Sequence, residues 1–324
     1  MGKNKTKKRT RRPNKGWLAG SSATQTICSS FLLVIAVGTL LLTLPISSRT
    51  GRLGVIDAMF TATSATCVTG LVVRDTWSQF SLFGQVIILM LIQVGGLGLV
   101  TLTSFFALAA RRRMGFRDLR LLGESVSADG LSKATEVLKI VIKLAAAFEA
   151  VGIVLLLFAF VPQFGAEGVW VSVFTAISAF CNAGFDLMGV RQQYSSLTYY
   201  AGNGLVNAVI VLLILIGGLG FLTWEDIKTN KLQFKKYRMQ SKVILVTDLI
   251  LVIVPTVIFY FGEFHGSQWG NGLERFWLSL FQAVTPRTAG FNTADFGQMS
   301  EGGRFFPKVR MPVRRDRYHV NLVW

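Results

Sequence analysis

Long stretches without a charged side chain are the feature that most constrains how this chain folds. Charged residues are absent from residues 16–48, 76–110 and 192–224, and residues 144–166 and 243–262 hold one acid each, Glu149 and Asp248. Each stretch has at least about the 20 residues that a helix needs to cross a bilayer. The sequence therefore predicts an all-α protein that spans a membrane several times. A membrane β-barrel would show short alternating segments instead.

Basic residues occur in blocks between the apolar stretches, which predicts the topology. Lysine and arginine are dense in residues 3–15, 111–120 and 228–242 and sparse in the other connections. Bases are retained on the cytoplasmic side, so the N-terminus and these blocks are expected to be cytoplasmic. The net charge of +17 then indicates anchoring beside membrane lipid and gives no reason to expect nucleic acid. The apolar run 27–44 is too long for the core of a cleavable signal peptide.

One motif occurs three times along the chain. It reads F-T-A-T-S-A-T-C-V-T-G-L in residues 60–71, F-T-A-I-S-A-F-C-N-A-G-F in 174–185 and F-Q-A-V-T-P-R-T-A-G-F in 281–291. The copies share an aromatic first residue, a body of small and hydroxyl residues, and a glycine next to last: Gly70, Gly184 and Gly290. Unrelated external loops would not share this pattern, so the motif indicates an internal repeat.

The surroundings of the motif repeat as well. A spanning helix is predicted before each copy, over residues 27–44, 136–161 and 243–262. After the first two copies, a second apolar helix contains G-G-L-G, at residues 95–98 and 217–220. We interpret G-G-L-G as a site of close packing, since small residues let helices approach in a membrane. The chain is thus predicted to contain three helix–pore loop–helix units, with the third incomplete.

The repeats and basic blocks divide the chain into seven parts. These are a basic cytoplasmic tail (1–25), a first repeat (26–110), a cytoplasmic linker (111–135), a second repeat (136–226), a basic cytoplasmic linker (227–242), an incomplete third repeat (243–300) and an aberrant basic tail (301–324).

Each motif is too short to cross the bilayer and is predicted to enter and leave on one side. In the first copy, a short helix over residues 56–65 stops at Thr66, and its C-terminus carries partial negative charge that favours a cation. The backbone carbonyls that follow are expected to replace the hydration shell of an ion. Side chains differ between the loops and none of the loops contains an acid, which favours backbone coordination of a large monovalent cation. The candidate ion-binding residues are Thr66, Cys67, Val68, Thr69, Gly70, Phe180, Cys181, Asn182, Ala183, Gly184, Arg287, Thr288, Ala289 and Gly290.

The segments T-A-T-S-A-T-C-V-T-G-L, S-A-F-C-N-A-G-F-D and A-V-T-P-R-T-A-G-F-N-T, with the two G-G-L-G helices, resemble the Trk/Ktr/HKT superfamily of potassium transporters. The resemblance is to the membrane subunit of Ktr-type potassium uptake systems and covers about residues 20–300. It implies four such units around one pore, and potassium uptake as the function. It also implies a potassium preference that depends on filter glycines, and Gly70 stands where some sodium-permeable relatives have serine.

The resemblance further implies a homodimer, a cytosolic nucleotide-binding ring of the regulator-of-conductance type as partner, and the plasma membrane of a bacterium as location. Potassium is then the substrate, and a coupling or activating role for sodium stays open. The chain itself is expected to hold no cofactor, no transition metal and no enzymatic site. Its three cysteines and two histidines lack the spacing of metal ligands.

After Ser300 the sequence departs from this resemblance. A cluster of bases with Pro307 and Pro312 stands where a membrane helix is expected, and proline opposes a helix. We therefore expect a truncated, inactive form in which three of four pore walls are present. Two alternatives stay open: a non-transporting assembly partner, and the potassium-binding subunit of a primary pump, against which T-P-R-T-A-G-F argues.

Several polar residues outside the filter are further candidates. Glu149 and Asp248 are candidates for an intramembrane polar site, since acids are costly in a membrane. Glu149 is expected to pair with a polar group between helices or to take part in conduction, whereas Asp248 lies near enough to Lys242 to reach the cytoplasmic interface. Arg287 is expected to clamp loop carbonyls. The remaining candidates are outer acids that concentrate cations or cap helices (Asp57, Asp75, Asp186, Asp295), and partner-binding or interfacial residues (Trp224, Glu225, Asp226).

Overall fold

A computed structural model describes residues 23–98, 131–231, 233–286, 289–294, 299–300 and 303. The first two basic blocks, the third-loop residues Arg287 and Thr288, the outer acid Asp295 and the tail from residue 304 lie outside the described residues. Within the described ranges the chain is helical, and its only β-type pairing there is an isolated bridge between Ser48 and Phe80. The predicted all-α class is confirmed.

The described part of the first repeat contains the helices α1 (Ala23–Leu42), α2 (Val55–Thr66), α3 (Thr76–Gln79) and α4 (Leu82–Leu97). The short helix α2 is the predicted pore helix, longer by one residue at each end. Asp57 lies in its first turn, where a negative charge complements the helix dipole. Asp75 caps α3 by accepting a hydrogen bond from the backbone N–H of Ser78 at 2.8 Å, so polar caps set the boundaries between apolar helices.

The described second repeat also starts with a long helix, α5 (Leu131–Phe164), and a pore helix, α6 (Ala166–Phe180). Helix α7 (Gly204–Gly217) then corresponds to α4, and α8 (Phe221–Asn230) follows the G-G-L-G motif. Gly165, with a φ of 58°, reverses the chain between α5 and α6. The third repeat contains α9 (Met239–Ile258), which continues through a π-helical turn (Phe259–Glu263), and pore helix α10 (Gly272–Val284). Asn271 and Glu274 form a capping box at the start of α10, a strong local signal for where a helix begins.

Among the described residues, two helices are long and apolar enough to cross a membrane, over Ile140–Phe164 and Met239–Glu263. Shorter apolar helices accompany them at Cys28–Leu42, Leu82–Leu97, Ala166–Phe180 and Gly204–Gly217. The two long segments belong to the first helices of the second and third repeats. The short ones include pore helix α6, which was predicted to be too short to span.

Each pore helix is held by its own repeat, and the second and third pore helices are also held by the preceding repeat. Helix α2 packs against α1 and α4, α6 against α5 and α7, and α10 against α9. In addition, α6 contacts α4 of the first repeat, and α10 contacts α7 of the second. Aromatic side chains from the pore segments fill the centre and are almost fully buried: Phe174, Phe185, Phe281 and Phe291. The repeats are therefore arranged one behind the other around a common centre.

The G-G-L-G motifs end helices, which corrects the prediction that they lie within a continuous second helix. In the second repeat α7 ends at Gly217, and α8 begins only at Phe221. Gly95 and Gly217 face the pore helices, where an added Cβ would overlap the carbonyl oxygens of Thr66 and Phe180, respectively. These contacts agree with the interpretation of G-G-L-G as a site of close packing. The two glycines approach the last residue of the first and second pore helices.

Candidate functional site

The three motif glycines meet at one point in the structure. A Cβ added to Gly184 would lie 2.6 Å from Cα of Gly290, and one added to Gly70 would lie 3.1 Å from Cα of Gly290 and 3.7 Å from Cα of Gly184. Their φ angles are 74°, 70° and 75° in chain order. This conformation is open to glycine and strained for other residues. The structure thus brings together three segments that are far apart in the sequence, in one shared backbone conformation.

The loops before these glycines are shaped by backbone bonds to their own pore helices. In the first loop, the N–H of Thr69 donates to the carbonyl oxygen of Ser64 at 3.0 Å. In the second loop, the N–H of Ala183 donates to the carbonyl oxygen of Ser178 at 2.8 Å. Val68 and Asn182, at equivalent positions, have left-handed φ angles of 53° and 57°. Because the side chains differ while the backbone matches, the common property of the loops is the placement of main-chain groups.

A side-chain hydroxyl fixes the residue that follows each motif glycine. These hydroxyls were not among the candidate residues predicted from the sequence. The hydroxyl of Ser64 donates to the carbonyl oxygen of Leu71 at 2.7 Å, and that of Ser178 donates to the carbonyl oxygen of Phe185 at 2.6 Å. In the third repeat, Thr285 donates to the carbonyl oxygen of Phe291. The signal was present, since each motif carries a serine or threonine near the end of its pore helix.

Among the other candidate filter residues, several are packed away from solvent. Val68, Ala183 and Ala289 are buried, and the ring of Phe180 packs against Trp224 with ring centroids 5.6 Å apart. The Oγ1 atom of Thr66 and the Oδ1 atom of Asn182 are buried without a hydrogen-bond partner.

The acids expected on the outer side make local contacts. Asp57 pairs with Arg74 at 2.8 Å, and Asp75 accepts hydrogen bonds from the backbone N–H groups of Ser78 and Tyr194. Asp186, just beyond Gly184, accepts a hydrogen bond from the N–H of Met188 at 3.0 Å. Burial, with a smaller contribution from the charge of Asp75, raises the pKa of Asp186 to about 6. These contacts support the interpretation as helix caps and loop anchors.

The two intramembrane acids are both buried. Glu149 is 8% exposed, and its Oε1 accepts a hydrogen bond from Nε2 of Gln93 at 3.0 Å. Asp248 is 7% exposed. The pairing of Glu149 with a polar group of another helix is one of the two roles expected for it.

Residues at the end of the second repeat are structural. Trp224, expected at a membrane interface, is 3% exposed, and its indole N–H donates to the carbonyl oxygen of Ile216 at 3.1 Å. The break after Gly217 folds α8 so that this ring packs inside the protein. Asp226 accepts hydrogen bonds from the hydroxyl of Ser241 at 2.6 Å and the N–H of Arg238 at 3.0 Å, and Glu225 pairs with Arg238 at 2.9 Å.

Comparison with known proteins gives the family. The model of the TrkH family, described as cation transport proteins, matches residues 4–313. The chain belongs to the TrkH family. Its members are membrane proteins that transport cations and are not enzymes, which confirms the predicted multispanning class and the resemblance to Trk/Ktr membrane subunits.

Relatives of this TrkH-family chain include several bacterial uptake proteins. It is 38% identical over 291 residues to "Ktr system potassium uptake protein B" of Bacillus subtilis, with 89% of this chain and 64% of the relative covered. It is 38% identical over 286 residues to "Potassium/sodium uptake protein NtpJ" of Enterococcus hirae, with 87% and 62% covered. The protein of Vibrio alginolyticus with the same name as the Bacillus one is 35% identical over 280 residues, with 85% and 60% covered. The chain therefore spans less than two thirds of the length of these relatives.

Proposed function

We propose that this chain forms most of a potassium uptake pathway in which backbone carbonyls of the pore loops select the ion. The observation that carries the proposal is the meeting of Gly70, Gly184 and Gly290 in one backbone conformation. Loops that converge with matched backbone geometry can surround a dehydrated ion with carbonyl oxygens. Thr66 and Asn182, in the first two loop segments, also have buried side-chain oxygens without a hydrogen-bond partner, and such atoms call for an interaction that the protein itself does not supply.

Potassium appears in the names of all three relatives. The Bacillus and Vibrio relatives are named potassium uptake proteins, and the Enterococcus relative is named a potassium/sodium uptake protein. The first two loops and the described part of the third contain no carboxylate, and a ring of carboxylates is the usual filter for other cations. We infer uptake of potassium with sodium as the competing ion.

The first pore loop supports the expectation of a fourth repeat. Phe60, Leu71 and Val73 are 38%, 60% and 41% exposed, whereas Phe174, Phe185 and Leu187, at the equivalent positions of the second repeat, are at most 1% exposed. The second loop is covered by helix α4 of the preceding repeat. We infer that a further helix–pore loop–helix unit covers the first loop in the working transporter, and that residues 1–324 on their own do not conduct.

The family and the relatives support a proposal for the cellular setting of the protein. We propose a bacterial plasma membrane as the location, with the N-terminus in the cytoplasm, a homodimer as the assembly, and a cytosolic nucleotide-binding ring as the partner. The dense bases of residues 228–242 fit the cytoplasmic side, because bases are retained there. The alternative of a non-transporting assembly partner predicts no flux in any form that contains this filter.

The test uses two forms of the protein in a bacterium that lacks its own potassium uptake, with the cytosolic ring protein co-expressed. The first form is residues 1–324. The second, the four-repeat protein, joins residues 1–300 to the part of a Trk/Ktr relative that follows the third pore loop, namely the second helix of the third repeat and the whole fourth repeat. We expect the four-repeat protein to restore growth at low potassium and to take up rubidium in preference to sodium. Growth on residues 1–324 alone would contradict the inferred fourth wall, and equal uptake of rubidium and sodium by the four-repeat protein would contradict the selectivity.

A further inference from the structure

One half-buried glutamine joins the first two repeats directly behind the second pore loop. Gln93, in α4 of the first repeat, donates through Nε2 to Oε1 of Glu149 in α5 at 3.0 Å. Its Oε1 accepts a hydrogen bond from Sγ of Cys181 at 3.6 Å. A single side-chain amide thus contacts both the first helix and the pore loop of the second repeat, and it uses both of its ends.

Glu149 lies where an unpaired acid is costly. It is within the apolar span Ile140–Phe164, and its side chain is buried. Ionisable side chains inside a membrane normally face a polar partner, and their presence points to a role. Here the partner belongs to another repeat, so the hydrogen bond fixes how the two repeats dock.

Cys181 is the residue at which the second loop leaves its pore helix. Its N–H still bonds to the carbonyl oxygen of Ile177 at 2.9 Å, whereas the next residue, Asn182, is already left-handed. Gly96, one turn beyond Gln93, packs on the same thiol, since an added Cβ would lie 2.5 Å from Sγ of Cys181. Helix α4 therefore holds Cys181 by a hydrogen bond and by close backbone packing, three residues before Gly184.

We propose that Gln93 and Glu149 are positioning residues for ion discrimination, because they fix the second filter loop through Cys181. This rests on the proposed potassium filter. Discrimination between ions of similar charge depends on where the carbonyl oxygens lie, and a thiol is a weak hydrogen-bond donor. The amide of Gln93 therefore needs Glu149 on its other side to hold its orientation.

The chain offers a matched control at the other end of the same pore helix. The indole N–H of Trp170 donates to Oε1 of Gln85 at 2.7 Å, which also joins α4 to α6. This contact lies near the start of α6, far along the helix from Cys181. Loss of the Gln85 bond weakens the same interface but leaves the loop attachment in place.

The first experiment measures the reactivity of Cys181 in residues 1–324 in membranes. Cys28→Ser and Cys67→Ser leave it as the sole thiol, and N-ethylmaleimide is the probe. We expect Gln93→Met to raise the labelling rate by about threefold or more, the effect of one lost hydrogen bond. Gln85→Met should leave the rate unchanged. An unchanged rate in Gln93→Met, or an equal rise in Gln85→Met, would overturn the proposal.

The second experiment measures rubidium uptake against sodium competition in the four-repeat protein. We expect Gln93→Met and Glu149→Met to lower the rubidium preference about three- to tenfold, and Glu149→Gln to retain it. If Gln93→Met does not fold, Cys181→Ala removes the donor and should lower the preference likewise. An unchanged preference in these variants overturns the proposal. If the parent itself shows no preference, the proposed filter fails, and the labelling experiment still tests the attachment of Cys181.

Discussion

The hydroxyl of Ser178 donates a 2.6 Å hydrogen bond to the carbonyl oxygen of Phe185, and so joins the end of a pore helix to the residue just beyond a filter glycine. Ser64 makes the same bond to Leu71, and Thr285 makes it to Phe291. The chain between each pair contains the filter loop, so the hydroxyl closes that loop into a ring. Three independent copies of one bond indicate that its geometry matters to the site.

Removal of this bond should loosen the loop. We expect Ser178→Ala to lower the free energy of unfolding by about 1 kcal/mol and to reduce the rubidium preference of the four-repeat protein. Ser172→Ala is the matched control, because that buried hydroxyl bonds back to Gly168 within the same pore helix at 2.7 Å. Thermal melting in detergent and competitive uptake measure the two effects. An equal loss of preference in both variants would contradict a specific role for Ser178.

The filter glycines should not accept a side chain. In Gly70→Ser, the new Cβ would lie 3.1 Å from Cα of Gly290, and residue 70 has a φ of 74°. A residue other than glycine in this conformation costs about 1–3 kcal/mol of backbone strain. We expect the preference of the four-repeat protein for rubidium over sodium to fall about tenfold. Gly184→Ala should act more strongly, since its Cβ would overlap the carbonyl oxygen of Ala289. Gly51→Ala is the control, with a φ of 105° and open space around it. Retained preference in Gly70→Ser would contradict the prediction.

The first glycine of each G-G-L-G motif should be required for folding. In Gly95→Ala and Gly217→Ala the new methyl group would overlap the last carbonyl of a pore helix. Overpacking of this kind costs about 1–3 kcal/mol or more, so we expect lower yields of folded protein on size-exclusion chromatography. Gly54→Ala, which meets nothing within 4 Å, should behave as the parent. Normal yield and melting temperature in Gly217→Ala would show that the helices separate easily.

The outer carboxyl of Asp186 should make stability depend on pH. Burial raises its pKa from 3.8 to about 6, so the folded state binds this proton more tightly than the unfolded state does. The free energy of unfolding should therefore fall as the pH rises from about 4 to about 6, with a slope of up to about 1.4 kcal/mol per pH unit. Asp186→Asn should remove this slope, and Asp57→Asn should keep it. Melting temperatures across this range provide the measurement.

The basic blocks should face the cytoplasm. Single cysteines introduced as Thr50→Cys and Val190→Cys should react with an impermeant maleimide applied outside intact cells. Gly115→Cys and Lys235→Cys should react only after the membrane is opened, because dense bases are retained inside. External labelling at position 235 would overturn the proposed topology.

Local features of the fold were predictable from the sequence, and contacts between repeats were not. The pore helix predicted over residues 56–65 is Val55–Thr66 in the structure, because a short apolar run between glycine and the motif defines it. The bond between Gln93 and Glu149 joins residues 56 positions apart, and nothing in the periodicity of either helix specifies its partner. Trp224 was expected at an interface, but the break after Gly217 turns its ring inward, onto Phe148 and Phe180.

The second and third pore helices each pack against a helix of the preceding repeat, so these contacts follow the order of the chain. Helix α6 packs against α4, and α10 packs against α7. The helix that supports each of these two pore helices is therefore synthesised before it. The apolar residues Phe60 and Leu71 of the first loop are uncovered within the described part of the chain. In the proposed four-repeat protein, the last repeat covers this first loop. The loop that is synthesised first is therefore the last to be buried.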